Sequence, residues 1–212
     1  MQPDFRLYLI ADTASASKTA FASIVTNAIA GGVTCVQLRA KHLATKETIV
    51  IGQRLRQITR QYNIPFIVND RPDVALAIDA DGVHLGQNDM PIQFAQKILG
   101  KRKIIGVSAK TVAEAKKAQD SGATYLGIGP LFATTSKHDA GAPIGIAALA
   151  KIKHAVEIPI VGIGGITLTN APDIVKARPD GIAVLSSLMQ AKDPKKAAEE
   201  FIQLTHLFFE RA

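Results

Sequence analysis

Two aspartates carry the first chemical hint. The segment 69–89, NDRPDVALAIDADGVHLGQND, sets Asp70 and Asp89 just beyond apolar runs that read as buried. A carboxylate beside core structure is costly unless it is solvated, paired or bound to a cation. Mg2+ commonly takes one or two carboxylates and completes its octahedron with phosphate oxygens and water. Residues elsewhere suit the same chemistry. Arg39, Lys41 and Lys137 can donate to phosphate oxygens, Arg to two at once. Gly164-Gly165 would let backbone N–H groups approach an anion closely. This set suggests two anionic groups, one of them bound with a metal. Each member alone has a plainer explanation: an aspartate at a strand end is usually a helix cap or ion-pair partner, a diglycine a tight turn, and Thr134-Thr135-Ser136 an ordinary polar loop. The functional interpretation therefore requires that they converge on one face.

The elements that could bring them together are eight short apolar runs. LYLIA, TCVQL, PFIVN, GVHLG, KIIGVS, ATYLGIG, IPIVGIG and GIAVLS begin near residues 7, 34, 65, 82, 103, 123, 159 and 181. Their near-continuous Val, Ile and Leu content suits parallel strands covered on both faces. Helix signals lie between them. Thr111-Val112-Ala113-Glu114 is a capping-box pattern opening a helix that should stop near Gly122. Pro72, Pro172 and Pro194 each stand at an expected first helical position, where a missing N–H does no harm. Eight strand-plus-helix units in 212 residues predict an α/β fold, a (β/α)8 TIM barrel forming a single domain over 1–212. A doubly wound open sheet shares the alternation but carries a glycine fingerprint after its first strand. The first turn here, ADTASASKTA, contains no glycine.

On a barrel, the unusual polar residues all follow strand ends. Gln37, Arg39 and Lys41 follow strand two, Asn69 and Asp70 strand three, Asp89 strand four and Ser108 strand five. Strand six leads into GPLFATTSKHDAGAPIG, strand seven into Gly164-Gly165 and strand eight into Ser186-Ser187. Barrel active sites are built by the loops leaving the C-terminal strand ends, so these residues should converge. His84 is expected to pack between strand and helix, and the other four histidines lack metal spacing or a catalytic partner.

Composition narrows the function classes. The chain is 47% hydrophobic and 20% charged, as expected of an enzyme-sized domain. No apolar run reaches bilayer length and MQPDFRLYLIAD does not read as a signal peptide, so a cytoplasmic location and no membrane partner are expected. Cys35 is the sole cysteine and reads as a small buried side chain, which leaves no intrachain disulfide and no cysteine-based zinc site. Net charge is +7, but aromatics are 5% and Trp is absent, a poor match to a nucleic-acid surface. Attraction of small anionic substrates fits the charge. A homo-oligomer is compatible with the sequence, which sets no subunit number.

Several ordered motifs resemble the thiamine phosphate synthase family: QLRAK at 37–41, VNDRPDVALAIDADGVHLGQND at 68–89, IGVS at 105–108, GIGPLFATTSK at 127–137, IPIVGIGGI at 158–166 and AVLSS at 183–187. The resemblance implies a (β/α)8 barrel and an Mg2+-dependent condensation of hydroxymethylpyrimidine diphosphate with a thiazole phosphate, or its carboxylated form, to thiamine phosphate and pyrophosphate. It implies pyrimidine diphosphate contacts at Gln37, Leu38, Arg39, Ala40, Lys41, Asn69, Ser108 and Lys137, with Arg39, Lys41, Ser108 and Lys137 as the catalytic donors. It implies Mg2+ at Asp70 and Asp89, and thiazole phosphate contacts at Thr134, Thr135, Ser136, Gly165, Leu185 and Ser186. The sequence departs from the family pattern at Lys110, where His is common, and at Ser136, where Thr is common and the hydroxyl is kept. The alternatives are a thiazole tautomerase, which would favour a titratable group near neutral pH in the region of Lys110, and a non-catalytic thiamine-precursor binding protein.

Overall fold

The computed structural model describes residues 3–134, 136 and 141–209. Eight strands, β1 (Leu7–Asp12), β2 (Cys35–Arg39), β3 (Phe66–Asn69), β4 (Gly82–Leu85), β5 (Ile104–Ala109), β6 (Tyr125–Ile128), β7 (Ile160–Ile163) and β8 (Gly181–Val184), pair in sequence order and close on themselves as a parallel barrel. Each begins within two residues of its apolar run. The helices are α1 (Lys18–Ala30), α2 (Thr45–Gln61), α3 (Pro72–Ala77), α4 (Ile92–Leu99), α5 (Val112–Asp120), α6 (Gly145–Lys153), α7 (Ala171–Ile174), α8 (Ser186–Met189) and α9 (Pro194–Phe209). Among the described residues, no helix is long and apolar enough to cross a membrane.

Local chemistry sets the helix ends. The Thr111 hydroxyl accepts from the Glu114 N–H at 3.2 Å, and the Glu114 carboxylate reaches back to the Lys110 N–H at 2.7 Å, one residue earlier than a simple capping box requires. Pro72 and Pro194 are first helical residues, whereas Pro172 is the second residue of α7, because the helix already starts at Ala171.

Strand alternation divides the apolar side chains into two cores. One set, including Leu9, Val36, Leu38, Val83 and Leu126, packs outward against the helices. The other, Phe5, Tyr8, Ile10, Cys35, Ile67, Tyr125, Val161 and Ala183, fills the barrel interior. Room for its rings comes from strand glycines. A Cβ at Gly106 would lie 2.1 Å from the Tyr125 ring, and one at Gly127 would lie 2.9 Å from His84.

The N-terminal rim is tied by one device used twice. Asp81, before β4, accepts from the Phe66 N–H that starts β3 and from the Arg56 guanidinium on α2. Asp180, before β8, accepts from the Ile160 N–H that starts β7 and from the Lys153 ammonium on α6. Anchoring that rim in ion pairs leaves the opposite one to carry chemistry.

Candidate active site

The C-terminal rim gathers the polar residues. Register places Asp12 opposite Arg39, Asn69 opposite His84, and Ser108 opposite Gly127, so strand ends that are distant in sequence lie level. Asp70 follows β3 in a left-handed conformation, φ +62°, which Asp tolerates better than most side chains. Its N–H donates to the His84 carbonyl at 2.8 Å, which fixes the turn to the neighbouring strand. Asp89 closes the turn after β4, where its Oδ2 accepts from the Gly86 N–H at 2.7 Å. A Cβ at Gly86 would stand 2.8 Å from that carboxylate oxygen, so a larger residue there would displace the Asp89 carboxylate.

The two carboxyl groups adjoin. Burial pushes the Asp89 carboxyl above its ordinary value, a hydrogen bond and the charge of Asp70 push it further, and the Gly86 N–H and Lys41 partly offset this. Two like charges held side by side are a poor arrangement alone and a good one around a cation. Lys41 supplies one positive charge, its Nζ lying 3.1 Å from Asp70 Oδ2. Arg39 pairs through Nη1 with Asp12, which also caps the turn after β1 by accepting from the Ala14 N–H at 3.0 Å. Among the described residues, no group of three or more His, Cys, Asp or Glu forms a complete metal shell. Two carboxylates are nevertheless the donor set Mg2+ uses when phosphate and water supply the remainder.

A second cluster of loops lies across the mouth, since β7 and β8 stand opposite β3 and β4 in the strand order. Gly165 has φ +64°, and a Cβ there would meet the Ala133 carbonyl at 2.4 Å and Phe132 at 2.9 Å. The diglycine is therefore where the loops after β6 and β7 pack backbone to backbone. Asn170 Nδ2 donates to the Gly165 carbonyl at 2.8 Å, and Ser187 Oγ donates to the Ile166 carbonyl at 2.9 Å, tying in the turn after β8. Thr134 Oγ1 accepts from the Ser136 N–H at 3.2 Å. Ser186 opens α8, and Leu185 before it packs on the barrel interior.

Some expectations change. The Leu38 side chain is buried toward α2, near the position a Cβ on Gly52 would take, so only its main chain can face a ligand. Gln37 lies inside the barrel, 4% exposed, and its Nε2 donates to the Tyr8 hydroxyl at 2.8 Å. His84 is not between strand and helix: its imidazole points into the barrel, with Nδ1 2.8 Å from the Tyr125 hydroxyl and Nε2 2.9 Å from Ser108 Oγ. Ala40 lies in the loop after β2 and is half-buried. Thr135 and Lys137 lie outside the described residues. Asp12, Tyr8 and Tyr125 escaped the sequence reading, although each occupies an inward or strand-end position that alternation could have revealed. Cys35 is fully buried, and burial pushes its thiol well up, which fits an inert core residue.

Comparison with known proteins fits this arrangement. The pattern of the thiamine monophosphate synthase family matches residues 7–188. A thiamine-phosphate synthase of Chloroflexus aurantiacus is 47% identical over 209 residues, spanning 99% of this chain and 96% of that protein. One of Moorella thermoacetica is also 47% identical, over 92% of this chain and 93% of its own length. Among solved structures, thiamine phosphate pyrophosphorylase from Pyrococcus furiosus superposes with a TM-score of 0.90 at 43% identity, covering 98% of both chains. With the family's pattern running from the first strand past the last, the chain belongs to the thiamine monophosphate synthase family.

Proposed function

We propose that this chain joins hydroxymethylpyrimidine diphosphate to a thiazole phosphate, or its carboxylated form, giving thiamine phosphate and pyrophosphate. The carrying observation is the adjoined pair Asp70 and Asp89, with Lys41 and Arg39 beside it, at a mouth whose far side is built from a diglycine and hydroxyl-bearing loops. Family membership supplies the identity of the two substrates. Asp70 and Asp89 would hold Mg2+, which when bound neutralises negative charge on the diphosphate as it leaves.

The chain's own residues do the rest. Arg39, Lys41, Ser108 and Lys137 donate to diphosphate oxygens, with Asn69 and the main chain of Leu38 and Ala40 lining the same end. Thr134, Thr135, Ser136, Gly165, Leu185 and Ser186 receive the thiazole phosphate, through hydroxyls and backbone N–H groups. The bond from the pyrimidine methylene carbon to the diphosphate oxygen breaks, and its electron pair leaves with the diphosphate. The thiazole nitrogen lone pair forms the new bond to that carbon, and the positive charge ends on the thiazolium. Such a step needs no protein nucleophile. It needs donors aimed at the leaving oxygens and a second ring held ready before water arrives.

Purified protein given both precursors and Mg2+ is expected to make thiamine phosphate, and EDTA to stop it. Tight binding of a precursor without product would indicate a binding protein instead. Isomerisation of a thiazole carboxylate phosphate by itself would indicate a tautomerase.

A further inference from the structure

Five side chains from five strands form one hydrogen-bonded line through the barrel interior: Gln37 on β2, Tyr8 on β1, Tyr125 on β6, His84 on β4 and Ser108 on β5. The successive separations are 2.8, 2.9, 2.8 and 2.9 Å. Four of the five are buried, and only Ser108 reaches the half-buried rim.

The line has a direction. The Gln37 amide nitrogen only donates, so the Tyr8 oxygen accepts. A phenol has one proton, and that of Tyr8 must find a partner inside an apolar cluster. The neighbouring Cys35 sulfur is a weak acceptor, whereas the Tyr125 oxygen is a good one at 2.9 Å. Tyr8 therefore donates to Tyr125, and the Tyr125 hydroxyl donates in turn to His84 Nδ1. A neutral imidazole that accepts at Nδ1 carries its proton on Nε2, the atom 2.9 Å from Ser108 Oγ. Ser108 thus accepts from His84, and its own proton has to turn elsewhere. Its main chain is held too, because Gln87 Nε2 donates to the Ser108 carbonyl at 2.6 Å.

We propose that His84 is a positioning residue: kept in its Nε2–H tautomer by the one-way line that starts at Gln37, it aims the Ser108 hydroxyl proton at the barrel mouth, onto an oxygen of the leaving diphosphate. This rests on the proposed function in one respect, that a diphosphate occupies that end. His84 acts through Ser108.

The tautomer is read directly in the full chain by 15N-edited NMR of labelled histidine, with the His84 signals identified by their loss in His84→Gln. The expected pattern is protonated Nε2 and bare Nδ1. Gln37→Glu replaces the donor at the head of the line with a group that only accepts and should invert the pattern to Nδ1–H. If that buried carboxylate prevents folding, Tyr125→Phe, which removes the donor to Nδ1, should give mixed tautomers instead. Function is read with pyrophosphate and Mg2+ as the probe, by calorimetry, so that thiazole chemistry is not involved. Ser108→Ala and His84→Leu should each weaken pyrophosphate binding about tenfold, as expected for losing one hydrogen bond to a charged group. The double variant should be no weaker than either. His84→Gln, whose amide can still donate to Ser108, should recover most of the loss. An Nδ1–H or doubly protonated His84 in the wild type, additive losses, His84→Gln as weak as His84→Leu, or no pyrophosphate binding by the wild type would each overturn the proposal. Intact pyrophosphate binding without condensation of the two precursors would overturn only the proposed function.

Discussion

Gly165→Ala tests whether the loops facing the carboxylates form a phosphate cradle. Two costs add. A Cβ at φ +64° puts alanine in the left-handed region, at ~1 kcal/mol. The same Cβ stands 2.4 Å from the Ala133 carbonyl and 2.9 Å from Phe132, so the loop after β6 has to move, at a further ~1–3 kcal/mol. A total of about 3 kcal/mol lowers the melting temperature of a chain this size by about 6–12 °C. In steady-state assays, the KM for thiazole phosphate should rise about tenfold in Gly165→Ala, the loss of one hydrogen bond to a charged group. Pyrophosphate–Mg2+ affinity should hold, since Asp70 and Asp89 stand across the barrel. A fall of only about 2–4 °C, the backbone cost alone, would refute the steric reasoning. A lowered melting temperature with unchanged thiazole KM would refute the cradle.

Asp89→Asn should cut turnover on the order of a hundredfold or more, by removing a proposed metal ligand. Without metal, the same change should leave stability equal or slightly higher at neutral pH. Asp89 holds its proton more tightly folded than unfolded, so its contribution is complete below the ordinary carboxylate range and lost as pH rises through the raised pKa. Screened by solvent, the gain is ~0.5 kcal/mol, visible as a small rise in melting temperature at pH 7 that vanishes in acid. Asp12→Ala strips Arg39 of its partner in a nearly buried pair and should cost about 3 kcal/mol in a denaturant titration, besides weakening pyrophosphate binding. Cys35, fully buried with its thiol pushed up, should resist iodoacetamide in the native protein and react only on unfolding; prompt alkylation would mean that the barrel interior opens.

The strands were legible because each is a short Val/Ile/Leu-rich run bounded by Gly, Pro or polar residues, and the rim residues followed once strand ends were located. What stayed hidden was the barrel interior. In GVHLG, Val83 and Leu85 point to the helices, so His84 must point the other way, yet treating the run as covered on both faces concealed this. Tyr8 within LYLIA and Gln37 within CVQLR have the same alternation. A further signal was present in the strand glycines 106 and 127, which make the space that Tyr125 and His84 fill. It becomes readable only when β5 and β6 are known to be neighbours in a particular register. Asp12 is similar: nothing near it in sequence marks it as the partner of Arg39, and only the β1–β2 pairing sets them level.

That pairing bears on how the mouth binds its ligand. Arg39 and Lys41, at the proposed diphosphate end, already have partners, Arg39 on Asp12 and Lys41 on Asp70, so they are not simply waiting for an anion. A diphosphate arriving alone would face two carboxylates, and a divalent cation arriving alone would displace Lys41 from Asp70 and strand its charge. Arriving together, the two would leave every charge paired: Asp70 and Asp89 would hold the cation, and Lys41 would swing to a phosphate oxygen. Lys41 can do this cheaply, since its side chain is still 36% exposed. Pyrophosphate and Mg2+ should therefore each raise the other's affinity by the same factor, as linkage demands. In Lys41→Met, with no charge to strand, Mg2+ should bind better alone and the mutual enhancement should shrink. Calorimetric titrations showing independent binding of the two in the wild type would mean that the carboxylate pair serves the fold rather than the diphosphate.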